Sequence, residues 1–509
     1  MLVLMKKERC QAISDWVDKH RITRFLLSPI SMAFAYCIFL FIYEIVILRD
    51  VVTAIHPVLI GWAGIIVAYN ALIRRNILKL HGGKFLVLFS IVSLIVAVLN
   101  WRAGIVGNIK AWILTVLPIF AFTSVCQTVS EDKRKKVLIK VLLGASVVVF
   151  LASLISLSLY LIRFGGPIKL FGIERHIGLR IYNPQQLDSG VLLYGIYCDP
   201  NHAAMYSLAF AIYSLVLLLE CRKGLFKAKW QNILGIIYAA LNLLIQFCFF
   251  PLANSRGGWL CMIIACIIIS FLYIYNGSPK KGKFLRFVIS FGLALAITAG
   301  VCGLFFGART AMAGLSDVVV NAIGSTSGDQ PSTGPSINNE LNEDVDYNNF
   351  NKDNDAFGAG RVDLWRDSLQ LFTKRPILGQ GPGNNQYYAV LYGFENMIAE
   401  DKALHNSYLD LLVDYGVFGF ALLMCFWASC LITVLKRIVN KKLKTDFSYY
   451  AIGMIVVMIA GVICFLSCAF INTTAMYCIM LIMTGYLVAS PEHSKDDPHG
   501  TLLSKDRLN

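Results

Sequence analysis

Residues 131–163 read EDKRKKVLIKVLLGASVVVFLASLISLSLYLIR. The apolar run within them, 137–162, exceeds the ~20 residues a helix needs to cross a hydrocarbon layer about 30 Å thick. It is preceded by four consecutive basic residues, Lys133 to Lys136. Basic clusters of this kind stay on the cytoplasmic side of a membrane. The same two features recur along the chain, and together they decide the fold.

The 509 residues are 57% apolar and only 15% charged, with a mean hydropathy of +0.63. That is too apolar for a soluble protein of this size. Candidate spans occupy 25–48, 54–73, 85–100, 110–128, 137–162, 203–220, 231–252, 258–275, 284–307, 415–435, 449–470 and 473–490. Trp101, Arg102 and Lys110 interrupt the third and fourth. The expected architecture is an all-α integral membrane protein of about 12 transmembrane helices, with a large external loop between helices 9 and 10. No cleavable signal peptide is expected, because a long charged segment precedes a first run that is itself long enough to span.

The net charge of +15 does not imply nucleic acid, because its distribution is periodic. Basic residues fall in every second gap, around Lys6 to Arg24, Arg74 to Lys84, Lys133 to Lys136, Arg222 to Lys229, Lys280 to Arg286 and Lys436 to Lys444. This alternation predicts a multi-pass protein of the cytoplasmic (inner) membrane with both termini cytoplasmic. Residues 1–24 form the N-terminal segment, and 25–307 hold helices 1–9 with an external loop at 163–202. Residues 308–414 form the large external loop, 415–490 hold helices 10–12, and 491–509 are a cytoplasmic tail. Most of the fourteen cysteines sit within spans and behave as small apolar residues. No CxxC or Cys/His cluster is present, so neither a disulfide framework nor a bound metal is expected.

Within the large loop, 321–358 is rich in Ser, Gly, Asn and Asp and is expected to be disordered. Order is expected from 360 to 414. Val362, Trp365, Leu369 and Phe372 recur at helical spacing as one apolar face, and Leu404, Tyr408, Leu411, Leu412 and Tyr415 mark another. Gly379, Gly381 and Gly383 read as a turn, since no GK[ST] follows to make a phosphate loop.

The ionisable groups at external span mouths are few. Arg256, in NSRGGW, has two readings: a phosphate ligand beside a helix N-terminus, or an interfacial anchor. Arg361 stands with Arg366, Lys374 and Arg375 in a loop, 308–404, whose seven basic and thirteen acidic residues give a net of −6. A solvated helix face is the simpler reading for the last three. Asp199 and Asn201 read as caps before the sixth span, and His202 is ambiguous. His405 is either structural or a proton acceptor near neutral pH. Asn406 either contacts a polar ligand or begins the helix. Glu44, expected deep in the first span, is the feature that favours a transporter or lipid-linked oligosaccharide flippase.

The stretch GRVDLWRDSLQLFTKRPILGQGPGN followed by HNSYLDLLVDYGVFGFALL resembles the signature of the O-antigen ligase and Wzy-type polymerase superfamily. SRGGW and DPNHAAM resemble two shorter motifs of that family. The resemblance implies a membrane glycosyltransferase that moves a glycan from a polyprenyl diphosphate carrier to an acceptor hydroxyl on the outer face of the cytoplasmic membrane. It implies Arg256 and Arg361 on the donor diphosphate and His405 as the base. It implies Asn406, Asn201, Trp365 and Gly381 as candidate supporting residues. The lipid diphosphate is already an activated leaving group, so no cofactor, nucleotide or metal is required, and a single displacement implies inversion. The partners implied are the lipid-linked donor, a glycan or other hydroxyl acceptor, and membrane lipid, with no nucleic acid. Polymerase and ligase are not separated by these motifs.

Overall fold

The computed structural model describes residues 7–74, 76–170, 172–181, 191–277, 282–326, 361–399, 404, 406–439, 452–453, 455–456, 459, 461 and 474–489. The chain is mostly helical. Its first twelve α-helices are α1 (Lys7–Lys19), α2 (Arg21–Leu26), α3 (Pro29–Tyr43), α4 (Arg49–Val52), α5 (His56–Leu72), α6 (Gly83–Leu99), α7 (Ile105–Gln127), α8 (Glu131–Leu161), α9 (Pro200–Arg222), α10 (Lys229–Leu252), α11 (Arg256–Gly277) and α12 (Lys283–Thr326). Arg361–Lys374, Asn385–Tyr392, Glu395–Ala399, Ser407–Val439 and Ala475–Val488 follow.

Among the described residues, eight helical stretches are long and apolar enough to cross a membrane, and Pro29–Tyr43, Gly83–Leu99 and Ala475–Val488 are shorter apolar helices. Each coincides with one expected run. The expected run at 449–470 lies largely outside the described residues, as do 1–6, 327–360, most of the segment expected to be disordered, and the tail beyond 489. The Trp101–Arg102 interruption is a corner between α6 and α7, and α12 continues as helix to Thr326.

The all-α expectation fails in one place. The first large loop is not irregular: Gly165–Leu170 (β1), Ile173–Ile181 (β2) and Val191–Gly195 (β3) form an antiparallel sheet in the order β1-β2-β3. In β2 Ile177 is buried and Ile173 exposed, and the register with β3 shifts between Gly178 and Leu179, where Gly178 has φ +84°. The fold is therefore helical with a small β-layer.

The Ala475–Val488 helix is buried along its whole length and packs against α7 and α3. Polar side chains join α8, α9 and α10. Asn242 Nδ2 donates to Ser146 Oγ at 3.0 Å and to Ser214 Oγ at 2.8 Å. Gln246 Nε2 donates to Asn242 Oδ1 at 2.9 Å, and Gln246 Oε1 accepts from Ser153 Oγ at 3.0 Å. Lipid tails supply no hydrophobic drive between spans, so bonds of this kind, with close packing, fix which helices meet.

The two ends of the bundle are distinguished by their contacts. At one end Arg74 pairs with Asp18 at 2.9 Å and Lys135 with Glu220 at 2.6 Å. There, too, Arg134 and Arg437 both donate to the Ala489 carbonyl. Basic residues from separate gaps are thus gathered at one end. At the other end the α3–α4 turn meets the sheet. Val46 N donates to Ile196 O at 2.8 Å, Cys198 N to Glu44 O at 2.9 Å, and Arg175 pairs with Asp50 at 2.8 Å.

Candidate active site

The ordered loop is built around a break in the Ser407–Val439 helix. Gly416 has φ 63° and ψ −171°, a conformation essentially restricted to glycine. The break frees the carbonyls of Val413 and Asp414, and the G-x-G turn takes them up. Gln380 N donates to Val413 O at 2.8 Å and Gly381 N to Asp414 O at 2.9 Å. In return Val417 N donates to Pro376 O at 2.8 Å. A Cβ at Gly379 would stand 2.4 Å from Asp414 O, and one at Gly416 2.3 Å from Ile377 O. Gly381 therefore serves backbone pairing at the break.

A small separate core holds the unit together, with Leu364, Leu371, Tyr388, Ala389, Met397, Leu404 and Val413 buried in it. The buried face of the Arg361–Lys374 helix carries Leu364, Ser368 and Leu371, whereas Val362 and Leu369 are exposed. The expected face is thus rotated. The core it meets lies on one side only, and Ser368 is accommodated there because its hydroxyl donates to Leu364 O at 2.6 Å. Trp365 is half-buried, and its Nε1 donates to Leu404 O at 3.0 Å. Asn406 begins the next helix: its Oδ1 accepts from Tyr408 N at 3.0 Å and Leu409 N at 3.2 Å, an N-cap arrangement. His405 lies outside the described residues, as does the side chain of Arg361, whose backbone opens its helix.

Of the three cations read as a solvated face, Arg366 pairs with Asp363 in an exposed i,i+3 contact, and the Lys374 Nζ lies 5.7 Å from the Tyr392 ring centroid. Arg375 does something else. Its Nη1 donates to Asn100 Oδ1 and, at 3.2 Å, to the Tyr388 hydroxyl. Tyr388 also donates to Asn100 Oδ1 at 2.9 Å. Burial pushes the Tyr388 hydroxyl above its ordinary value, with Arg375 opposing, so it remains a donor at neutral pH. The loop is thereby fastened to the corner between α6 and α7.

Sequence reading missed this knot, and it missed two carboxylates. Asp410 and Asp414 are fully buried. Asp410 Oδ1 accepts from Asn385 Nδ2 at 3.3 Å, and Asp414 Oδ2 faces Gly383 N at 3.5 Å. The signal was present in the sequence, since both acids share one side of an otherwise apolar helix at i, i+4.

A second group forms where α9 and α11 begin. Asp199 caps α9 as expected, its Oδ1 accepting from Asn201 N at 2.6 Å and His202 N at 3.3 Å. Asn201 is not a cap. Its Oδ1 accepts from Ser255 Oγ at 2.8 Å, while Ser255 Oγ accepts from Gly258 N at 3.0 Å. Ser255 thus caps α11, and Arg256, the first residue of α11, is exposed. Arg309 Nη1 reaches Asn254 Oδ1 at 3.5 Å in the same turn. Glu44 is not deep in a span: it follows the last residue of α3, and its Oε2 lies 3.6 Å from His202 Nδ1. The bonds set out above tie Asn201 to the Arg256 turn and tie Trp365, Gly381 and Asn406 into the loop unit. None of them runs between the two groups.

Comparison with known proteins places these elements. Residues 241–424 match the family model described as O-antigen ligase (Wzy_C). An uncharacterized protein of Haemophilus influenzae is 22% identical over 251 residues, 48% of this chain and 54% of that relative. The chain therefore matches about half the length of the relative. The family match takes in the Asn254–Gly258 turn, the Arg361–Lys374 helix, the G-x-G turn and the Gly416 break. The region from 241 to 424 is thus similar to the O-antigen ligase family, within a membrane protein of many apolar helices.

Proposed function

We propose that the protein is an inverting, metal-independent membrane glycosyltransferase. It moves a glycan from a polyprenyl diphosphate carrier to an acceptor hydroxyl at the outer face of the cytoplasmic membrane. His405 takes the proton of the acceptor hydroxyl as its oxygen attacks the anomeric carbon. Arg256 and Arg361 stabilise the charge gathering on the departing diphosphate. The guanidinium's fixed fork of donors suits phosphate oxygens. One displacement with one base and no covalent intermediate inverts the anomeric centre. Repeat-unit polymerisation is the preferred form of the reaction, because nothing in the chain specifies a particular acceptor.

The observation that carries this reading is the loop unit at the Gly416 break, which lies within the O-antigen ligase match. Leu404 and Asn406, the sequence neighbours of His405, are both buried and hydrogen-bonded. A proton acceptor gains from a fixed position. The end-of-helix position of Glu44 removes the feature that favoured transport.

The test uses purified protein with a defined polyprenyl-diphosphate-linked repeat unit, with and without a candidate acceptor, and product length read by gel. A ladder from donor alone is expected. A single discrete transfer would mean ligation instead, and carrier translocation in vesicles without transfer would sink the proposal. His405→Ala and Arg256→Ala are expected to abolish transfer while the protein still inserts. Wild-type product from inserted His405→Ala would overturn the role of His405.

A further inference from the structure

The end of α3 and the start of α9 bring together two titratable groups that the proposed chemistry does not use. Glu44 and His202 face each other at 3.6 Å, with side chains 13% and 22% exposed. A largely buried carboxylate needs a partner, and here the partner is the third residue of α9. The Tyr206 hydroxyl, one turn further along α9, also faces Glu44. The backbone around the pair is equally fixed, because the Glu44 carbonyl accepts from Cys198 N and the Asp199 carboxylate from the His202 amide.

Each link from this pair leads to the next element. Fixing His202 fixes the first turn of α9 and with it Asn201, whose side chain holds Ser255, and Ser255 in turn holds the first turn of α11 through Gly258 N. Arg256 lies between those two residues, with its side chain exposed. Asn254, just before, has φ +48°, a conformation costly for a residue with a Cβ unless its surroundings over-determine it.

We infer that the Glu44–His202 ion pair is a positioning element for Arg256. It anchors the start of α9 to the end of α3, so that Asn201 and Ser255 present Arg256 at the external mouth in one orientation. The inference rests on the reading that Arg256 binds the donor diphosphate. The pair touches no substrate. Its contribution is to the grip on the donor diphosphate, in the bound donor and as the diphosphate departs, since a guanidinium presented in many orientations binds less well than a fixed one.

The test is steady-state transfer by the full-length protein in detergent or proteoliposomes, with donor and acceptor varied separately. Glu44→Gln and His202→Gln are each expected to raise the donor KM by about tenfold and to lower kcat, with the acceptor KM within about twofold of wild type, because a displaced Arg256 loses the diphosphate both before and during its departure. The double variant should be no worse than the poorer single one, as residues acting through one contact require. His202→Lys, which keeps a cation opposite Glu44, should restore the donor KM to within about threefold of wild type. Wild-type donor KM in both single variants, additive losses in the double, or a rise confined to the acceptor KM would each overturn the inference. If the single variants aggregate, the double variant, which leaves no unpaired charge, carries the test: a raised donor KM supports the inference and a wild-type KM defeats it. Full activity of Arg256→Ala would instead sink the donor reading on which the inference stands.

Discussion

Lysine and arginine carry the same charge, but only the guanidinium offers two parallel donors to one phosphate. If Arg361 grips the donor diphosphate in this way, Arg361→Lys should be nearly as harmful to transfer as Arg361→Ala, and full activity of the lysine variant counts against the bidentate role. The side chains around it illustrate what residue type reveals. Asp199 and Asn406 sit at helix starts and do what short polar residues do there, accepting bonds from free amides. Asn201 has the same local signature, yet its side chain crosses to Ser255. The partner lies 54 residues away, and no local pattern encodes it. Arg375 was misread for the same reason. Its hydrogen-bond partner Asn100 is 275 residues distant, so it looked like a solvated cation.

Elements were legible where their period was strong and one-sided. Long apolar runs announce spans because the bilayer demands length, and α5, α7 and α8 to α12 all follow from that demand. The sheet was missed because Arg175 interrupts the apolar positions of β2 and the register shifts between Gly178 and Leu179, so the strand carries no unbroken alternation. The rotated face of the Arg361–Lys374 helix has a different cause: Ser368 is buried and Leu369 exposed, the reverse of hydropathy. The break at Gly416 yields the sharpest expectation at this scale. Alanine there must adopt a backbone conformation costing about 1–3 kcal/mol, and its Cβ would also meet Ile377 O at 2.3 Å. Gly416→Ala should therefore lower the thermal midpoint in detergent by several degrees and detach the G-x-G turn. Gly303→Ala, in α12 with open space at its Cβ, should leave the midpoint unchanged or raised slightly through helix propensity. Equal midpoints for the two variants would show that the break is not held by glycine.

For the molecule as a whole, the question is which end of the bundle faces the cytoplasm. Arg74, Lys135, Arg134 and Arg437 come from separate basic gaps but gather at one end, pairing with Asp18, Glu220 and the Ala489 carbonyl. The sheet and the α3–α4 turn occupy the other. The charge rule for short loops predicts that the first end is cytoplasmic, which would put Arg256 and the loop unit outside, where a lipid-linked donor would meet them. The opposite orientation would put His405 on the wrong face for the proposed chemistry, so the point is testable without any glycan. In a cysteine-free background, single cysteines replace exposed residues: Lys79 and Lys227 at the basic end, Lys169 and Thr373 at the other. A membrane-impermeant maleimide added to intact inverted vesicles should label Lys79→Cys and Lys227→Cys. Lys169→Cys and Thr373→Cys should react only when the reagent is added to right-side-out spheroplasts or after detergent. Each charged gap contributes little alone, and orientation follows the sum over loops, so all four positions should report the same sidedness. Labelling of Lys79→Cys from the periplasmic side would invert the bundle and remove the physical basis for an external transfer site.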